Sequence, residues 1–290
     1  MIPVVVVADY RVEIGLLVAL YSTLRHLAPG YGLDIRLLSG SVCGKALKKI
    51  RKSLDGLGKP YSLEVIKISD EKFRNFRRFA NTSLFTYARF LIPELCPDLS
   101  KALYLDIDIL VLEDISVLYD TQLESHLIGA SIDQVVQRAD HPWGILNYKE
   151  LGIPGETPYF SAGILLMNLS AWREQKFAER CMDYAERHPE ICIWWDQTIM
   201  NSLLAGNFKE FSAKWNQQLS VNPKSFAEHG IIHFAGPDKP WNYQPNLPLK
   251  TLELYFQEID RTNLNDWRPL KKISFVERLR QKIKRLITGF

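Results

Sequence analysis

Two carboxylates separated by one residue, Asp106 and Asp108, interrupt an otherwise apolar run at residues 101–114, Lys-Ala-Leu-Tyr-Leu-Asp-Ile-Asp-Ile-Leu-Val-Leu-Glu-Asp. The uninterrupted apolar stretch from Ala102 to Leu105 predicts a buried central strand rather than one face of an amphipathic helix. Side chains alternate along an extended chain, so both carboxylates are expected on the same side of it. Two hard oxygen donors at the end of a buried strand repel each other. A divalent cation carrying its own phosphate ligands relieves that repulsion directly. A pair of merely solvated carboxylates is the poorer reading, because ionised groups set against so apolar a strand need a paired charge or a metal.

Three kinds of function are compatible with such a strand end. A phosphatase of the haloacid dehalogenase type would use Asp106 as nucleophile, and would place the motif early in its domain with a hydroxyl residue soon after. Here the pair sits a third of the way along and is followed by Ile109, Leu110 and Val111. A nucleotide-sugar site needs instead a third metal ligand, a base pocket and pyrophosphate contacts. A nucleotide-sugar-binding protein without turnover is the third reading, for which the metal set would be surplus.

Candidates for the missing parts lie at several other points of the chain. Ile231 and Ile232 predict a short strand presenting His233, a side chain suited to metal ligation. Gly236 and Lys239 follow, and a glycine turn with a nearby lysine suits a pyrophosphate. Asp9, at the end of the first apolar run, has the chemistry to accept the imide N–H of a uracil ring or to cap the next helix. Arg89 is a rigid fork of donors for a phosphate or sugar hydroxyl, whereas Arg74, Arg77 and Arg78 read as a solvated basic loop. Asp133 ends a further apolar run. Ala162 and Gly163 allow close approach to the backbone. Asp196 and Gln197 open a predicted helix, where polar groups and N-terminal amides can face a developing charge.

The elements that must carry these residues follow a regular order. Strands are predicted at residues 3–8, 34–38 and 62–66, alternating with helices at 12–26 and 45–57, so the first third reads β-α-β-α-β. That order implies a parallel sheet, and ligands bind beyond the carboxyl ends of its strands. A helix is expected over 84–95, a short one over 115–119, a strand over 127–132, an apolar strand within 159–170, a helix over 172–188 capped by Ser170, and another over 194–204.

A chain of 290 residues, 47% hydrophobic and 24% charged, suffices for one large α/β core. It has no apolar run long enough to span a membrane, and the start at Ile2 and Pro3, without a basic leader, does not read as a secretory signal. Cys43, Cys96, Cys181 and Cys192 show no metal-ligand spacing, which fits a reducing cytoplasm.

In order along the chain, residues 86–89, 104–108, 160–168, 195–201 and 233–241 resemble glycosyltransferase family 8, nearest to its bacterial lipopolysaccharide galactosyltransferases, with glycogenin more distant. The likeness spans roughly residues 4–241. It implies a GT-A type α/β fold, a mixed and mainly parallel sheet flanked by helices, and a retaining transfer of galactose or glucose from a UDP-sugar to a saccharide of a bacterial surface glycan. It also implies Mn²⁺, or alternatively Mg²⁺, held by Asp106, Asp108 and His233, with uracil near Asp9 and the ribose near Asp106. Ala8 and Ile107 join the implied donor contacts. Gly236 and Lys239 are implied at the pyrophosphate, and Arg89, Asp133, Ser161, Ala162, Gly163, Asp196 and Gln197 around the sugar. Gln197 would support the transition state, with Asp196 as the alternative nucleophile. Two departures stand out. Tyr10, Arg11 and Val12 follow Asp9 where the family often has a further acid, an Asn and a Tyr, and Ser161 stands where the galactosyltransferases commonly have Asn.

Charge divides the chain. Residues 268–290 hold eight basic residues against Glu277, so this segment carries +7 and the remainder −4 within a total of +3. Phe275, Val276, Leu279, Ile283, Leu286, Ile287 and Phe290 recur near helical spacing between the basic residues. We therefore expect a catalytic domain at 1–265 and a basic amphipathic tail at 266–290 that lies on an anionic membrane. The expected partners are a UDP-hexose and a lipid-linked saccharide acceptor at the cytoplasmic face of the inner membrane. Nucleic acid is not expected, because the main domain is acidic.

Overall fold

The computed structural model describes residues 1–8, 13–40, 42–76, 84–219 and 226–270. The chain opens with β1 (Ile2–Val7), α1 (Glu13–His26), β2 (Leu33–Ser39), α2 (Gly44–Asp55) and β3 (Tyr61–Lys67), the alternation that the hydrophobic pattern predicts. β1, β2 and β3 are parallel neighbours, with Val4 opposite Ile35 and Ile35 opposite Leu63. A parallel sheet is covered on both faces, and β1 shows why its run is apolar throughout. Val4 and Val6 join Leu16 and Leu20 of α1 in one cluster, while Val5 joins Phe90 and Tyr104 in the other.

A 3-10 run, Leu84–Leu91, and the short α3 (Ile92–Leu95) occupy the stretch where one α-helix is expected. Pro93 has no N–H to offer the Arg89 carbonyl, so an α ladder through both pieces is interrupted and the tighter winding takes over. β4 (Lys101–Leu105) then pairs with β1, Val4 opposite Leu103. The chain bends at Ile107 and Asp108 and continues as β5 (Ile109–Val111) in a different sheet. The extended Asp-x-Asp expected from the sequence is thus a corner.

After α4 (Ser116–Tyr119) and β6 (Ile128–Ser131) comes β7 (Ile164–Asn168), which runs antiparallel between β4 and β6. Two helices follow in place of the single one expected, α5 (Leu169–Glu174) and α6 (Phe177–Arg187). Asn168 rather than Ser170 is the cap, its side chain accepting the Ala171 N–H at 3.1 Å. Lys176, at φ 48°, breaks the helical path between the two. α7 (Trp195–Leu204), β8 (Lys209–Phe211), β9 (Gln217–Gln218), β10 (Ile231–His233) and α8 (Leu249–Asp260) complete the order.

The large sheet has the strand order β3-β2-β1-β4-β7-β6-β8, and the small one β5-β10-β9. The sheet is mixed and mainly parallel, as expected, with helices on its faces. Because α1 leads outward from β1 to β2 while β4 lies on the other side of β1, the order reverses there and leaves a crevice at the carboxyl ends of β1 and β4. Ala8 and Asp106 stand at that edge.

α8 closes the small sheet, with Tyr255 and Ile259 packed among Leu110, Ile232 and Phe234. The packed segment continues past the expected boundary at residue 265. Trp267 joins this cluster, and Arg268 pairs with Asp260 at 2.8 Å and lies over the Phe256 ring. The remainder of the basic tail, 271–290, lies outside the described residues. Among the described residues no helix is long and apolar enough to cross a membrane, and Cys43, Cys96 and Cys181 carry free thiols.

Candidate active site

Three backbone junctions bring the expected metal ligands together. The Asp106 N–H donates to Gly163 O at 2.8 Å, fixing the end of β4 to the start of β7. Beyond the corner, β5 pairs antiparallel with β10, His233 opposite Ile109, and the Phe234 N–H donates to Asp108 O at 2.9 Å. Asp106, Asp108 and His233 consequently present ligand atoms all within 4.8 Å of one another. His233 Nε2 lies 3.3 Å from Asp108 Oδ1 and 3.8 Å from Asp106 Oδ2. Its other nitrogen, Nδ1, is 2.8 Å from Asn216 Oδ1, so the Asn216 carbonyl oxygen holds the proton there and turns the Nε2 lone pair toward the carboxylates.

The electrostatics are set by burial and by the neighbouring charges that oppose it. Burial pushes the Asp106 carboxyl above its usual range, only partly offset by Arg89. Burial also works against the Asp108 charge, but Lys239 and His233 outweigh it and hold that carboxyl below its usual range. Burial disfavours the His233 imidazolium, yet Asp108 and then Asp106 raise its pKa overall. Two hard carboxylates with one borderline imidazole fit a divalent cation such as Mn²⁺, and Mg²⁺ less closely. Gly163 supplies the room, since a Cβ there would stand 2.4 Å from His233 Cε1 and 3.0 Å from Asp106 Oδ2. Lys239 Nζ reaches Asp108 Oδ2 at 2.5 Å and Phe234 O at 2.7 Å. Gly236 makes the intervening turn at φ 95°, a backbone angle that favours glycine.

Arg89 stands behind this cluster. It is 5% exposed and donates inside the protein to Ala162 O, to the Tyr104 hydroxyl at 3.1 Å and to Asp106 Oδ1 at 3.3 Å. Its Nε contacts Asp196 Oδ2 at 2.7 Å as an ion pair that is not aligned as a hydrogen bond. Thr86 Oγ1 donates to Asp196 Oδ1 at 2.6 Å, so both Asp196 oxygens are engaged. Burial raises the Asp196 carboxyl pKa more than Arg89 lowers it. Trp195, just before, starts α7 at φ 48°, a strained angle for a bulky side chain.

Gln197 is held at both ends. Its Oε1 accepts the Ala162 N–H at 2.9 Å and its Nε2 donates to Asp133 Oδ2 at 3.1 Å. Ser161 and Asp133 are buried beside it, and Gln218 Nε2 reaches both, at 3.0 and 3.1 Å. Ala8 donates its N–H to Leu38 O, and Ile107 packs partly buried on the α1 side of the sheet with its carbonyl facing Gly15. Asp9, Tyr10, Arg11, Val12, Arg77 and Arg78 lie outside the described residues.

The structure adds residues that sequence reasoning did not select. Tyr104 donates to Asp106 Oδ1 at 2.6 Å, and Asn216 and Gln218 enter from the small sheet. One signal was present in the sequence, since Asn216, Gln217 and Gln218 are three successive amides between apolar Trp215 and Leu219.

A crevice at a sheet reversal, with an Asp-x-Asp corner and a histidine beside it, is the arrangement of a nucleotide-sugar glycosyltransferase of the GT-A type. The model of "Glycosyl transferase family 8" matches residues 3–244, and the chain belongs to that family. It is 25% identical over 252 residues to General stress protein A of Bacillus subtilis, covering 80% of this chain and 84% of that protein. It is 27% identical over 208 residues to the lipopolysaccharide 1,3-galactosyltransferase of Salmonella typhimurium, covering 66% and 60%. Among solved structures, the galactosyltransferase LgtC, in complex with donor and acceptor sugar analogues, superposes with a TM-score of 0.77 at 25% identity, covering 90% of this chain and 96% of that one.

Proposed function

We propose that this chain transfers a hexose, galactose or glucose, from a UDP-sugar to a saccharide acceptor of a bacterial surface glycan such as lipopolysaccharide, with retention at the anomeric carbon. The observation that carries this reading is the convergence of Asp106, Asp108 and His233 at the sheet reversal. These residues would hold Mn²⁺, or Mg²⁺ in its place, which when bound supplies Lewis-acid stabilisation of the departing diphosphate. Lys239 and the amides of the Gly236 turn add positive charge where the leaving oxygen becomes negative.

In the transfer, the bond from C1 to the diphosphate oxygen breaks and a bond from the acceptor hydroxyl oxygen to C1 forms on the same face. The acceptor's proton leaves with the diphosphate. Gln197 is an amide, a poor nucleophile, and keeps one Oε1 lone pair beyond its bond from the Ala162 N–H. It therefore supports an oxocarbenium-like state electrostatically. A covalent route through Asp196 would have to break the contacts with Arg89 and Thr86, so front-face attack is favoured. The phosphatase reading is weakened in the same way, because Asp106 Oδ1 is taken up by Tyr104 and Arg89.

The basic segment 266–290 supports a further part of the proposal, a peripheral position on an anionic inner membrane face that brings the enzyme to a lipid-linked acceptor. The testing experiment is incubation with a panel of UDP-sugars and Mn²⁺, measuring UDP release with and without truncated lipopolysaccharide. UDP release that depends on acceptor, stops in EDTA and is lost in Asp108→Ala is the expected result. Activity undiminished by EDTA, or normal turnover in Asp108→Ala, would sink the metal assignment. In Gln197→Ala turnover should fall far more than donor affinity.

A further inference from the structure

Gln218, on β9, comes from the small sheet into the site of the large one and is 6% exposed. Its Oε1 accepts the Gln134 N–H at 3.0 Å, and its own N–H donates to Gln134 Oε1 at 3.1 Å. This reciprocal pair fixes which way the amide faces. Its Nε2 then donates to Asp133 Oδ2 at 3.1 Å and to Ser161 Oγ at 3.0 Å, which uses both of its protons.

The consequence for Asp133 is specific. Oδ1 accepts the backbone N–H groups of Val135 and Val136, each at 2.9 Å, and Oδ2 accepts Gln197 and Gln218, each at 3.1 Å. A carboxylate offers about four lone-pair sites, and here each has a partner. Asp133 thus acts as the anchor of two amides, with no lone pair left for a sugar hydroxyl. Ser161 Oγ already accepts from Gln218, which takes one of its two lone pairs and fixes the directions left to its O–H and its other lone pair. Gln197, tied to Asp133 and Ala162, has its remaining Oε1 lone pair set in direction by that anchor.

We infer that Gln218 is a positioning residue for sugar selection: through Asp133 it orients Gln197, and through Ser161 it fixes the directions in which that hydroxyl meets the hexose. The inference rests on the reading of this site as that of a UDP-hexose transferase. The directions in which a sugar hydroxyl is met at this wall are set from β9 rather than by the residues in contact.

The test uses the full chain with Gln218→Met, which keeps length without hydrogen bonds, Gln218→Glu, which keeps shape and sets a second carboxylate beside Asp133, Ser161→Ala, and the double variant Gln218→Met with Ser161→Ala. Measured are kcat and KM with UDP-galactose and UDP-glucose, UDP affinity in Mn²⁺ by calorimetry, and melting. Gln218→Met should lose roughly ten- to a hundredfold in kcat with KM within about threefold, because the reacting geometry loosens while the nucleotide contacts stay. The ratio of kcat/KM between the two sugars should move toward one. Gln218→Glu should lose at least as much, and the double variant should show the same sugar ratio as Gln218→Met. Unchanged kcat and sugar ratio in Gln218→Met with an active parent overturns the inference. So does a loss of UDP affinity equal to the loss of turnover, which would mark general loosening. A parent that releases no UDP from any UDP-sugar with acceptor present removes the underlying reading instead, and this inference with it.

Discussion

A single methyl group separates Gly163 from a non-functional residue at that position. Placed on this backbone it would meet His233 Cε1 at 2.4 Å, Nδ1 at 2.9 Å and Asp106 Oδ2 at 3.0 Å, distances that force the ligands apart. Gly163→Ala is expected to weaken Mn²⁺ binding by roughly ten- to a hundredfold, the range typical when a ligand's orientation is lost. Titration calorimetry with Mn²⁺, beside an unchanged melting curve, checks this, and native affinity in the variant would show that the cluster tolerates the intrusion. At this scale the sequence was readable where chemistry leaves a local mark. Asp106 and Asp108 stood out because charge interrupts an apolar run, and His233 because a polar ring follows two isoleucines. Asn216 and Gln218 did not, because an amide has no charge to betray it and its partners arrive from another sheet. Arg89 was singled out as a reader of phosphate or sugar. Its burial among Asp106, Asp196 and Tyr104 adds that it pairs with the site's carboxylates, which no local sequence signal shows.

The outer strands illustrate what elements contribute. Arg36 on β2 reaches Asp34 at 2.9 Å, Glu64 on β3 at 2.9 Å and Asp98 at 2.7 Å, tying three segments on one edge of the sheet. Burial alone would raise the Asp34 carboxyl, but hydrogen bonds from Arg36 and Ser62 more than offset this and its pKa is lowered. A carboxyl whose folded pKa lies below its unfolded one stabilises fully above the unfolded value, near pH 4, and loses that contribution as pH falls through the folded value. Asp34→Asn should therefore cost about 1 kcal/mol or less at neutral pH, the pair being partly solvated, and less at about pH 2. Urea unfolding at both pH values measures it, and a difference that grows in acid would reverse the sign of the argument. The β-α-β-α-β start was legible because apolar runs and amphipathic stripes differ in period. The direction of β7 was not, since an apolar strand buried on both faces reads the same whether parallel or antiparallel. The corner at Asp106–Asp108 escaped for a related reason: Ile109, Leu110 and Val111 continue the apolar run although they belong to another sheet.

For the molecule as a whole, the packed part extends at least through Arg268, which Asp260 and Phe256 hold against α8. A chain ended after Leu270 keeps those contacts and removes most of the basic segment. It should still transfer from UDP-sugar yet no longer sediment with anionic vesicles, while the full chain does, with about 1 kcal/mol lost for each basic residue removed from the surface. Equal sedimentation of both at physiological salt would rule out the tail as anchor. The stretch between β6 and β7 has a different standing. It leaves the sheet at Asp133 and re-enters at Tyr159, where the Asp133 N–H donates to Tyr159 O at 2.9 Å, and it packs around its own apolar knot of Val136, Ala139, Ile145 and Ile153. A loop whose two ends are already joined is a detachable cassette, because doubling its length costs only about 0.6 kcal/mol in closure entropy. Its exposed Trp143, stacked edge-on against Trp194 just ahead of α7, belongs to that cassette, whereas Asp106 and Gly163 belong to the frame. Evolution, or an engineer, can rewrite the one beyond Val136, keeping the Gln134 and Val136 contacts that hold Gln218 and Asp133, and leave the other in register.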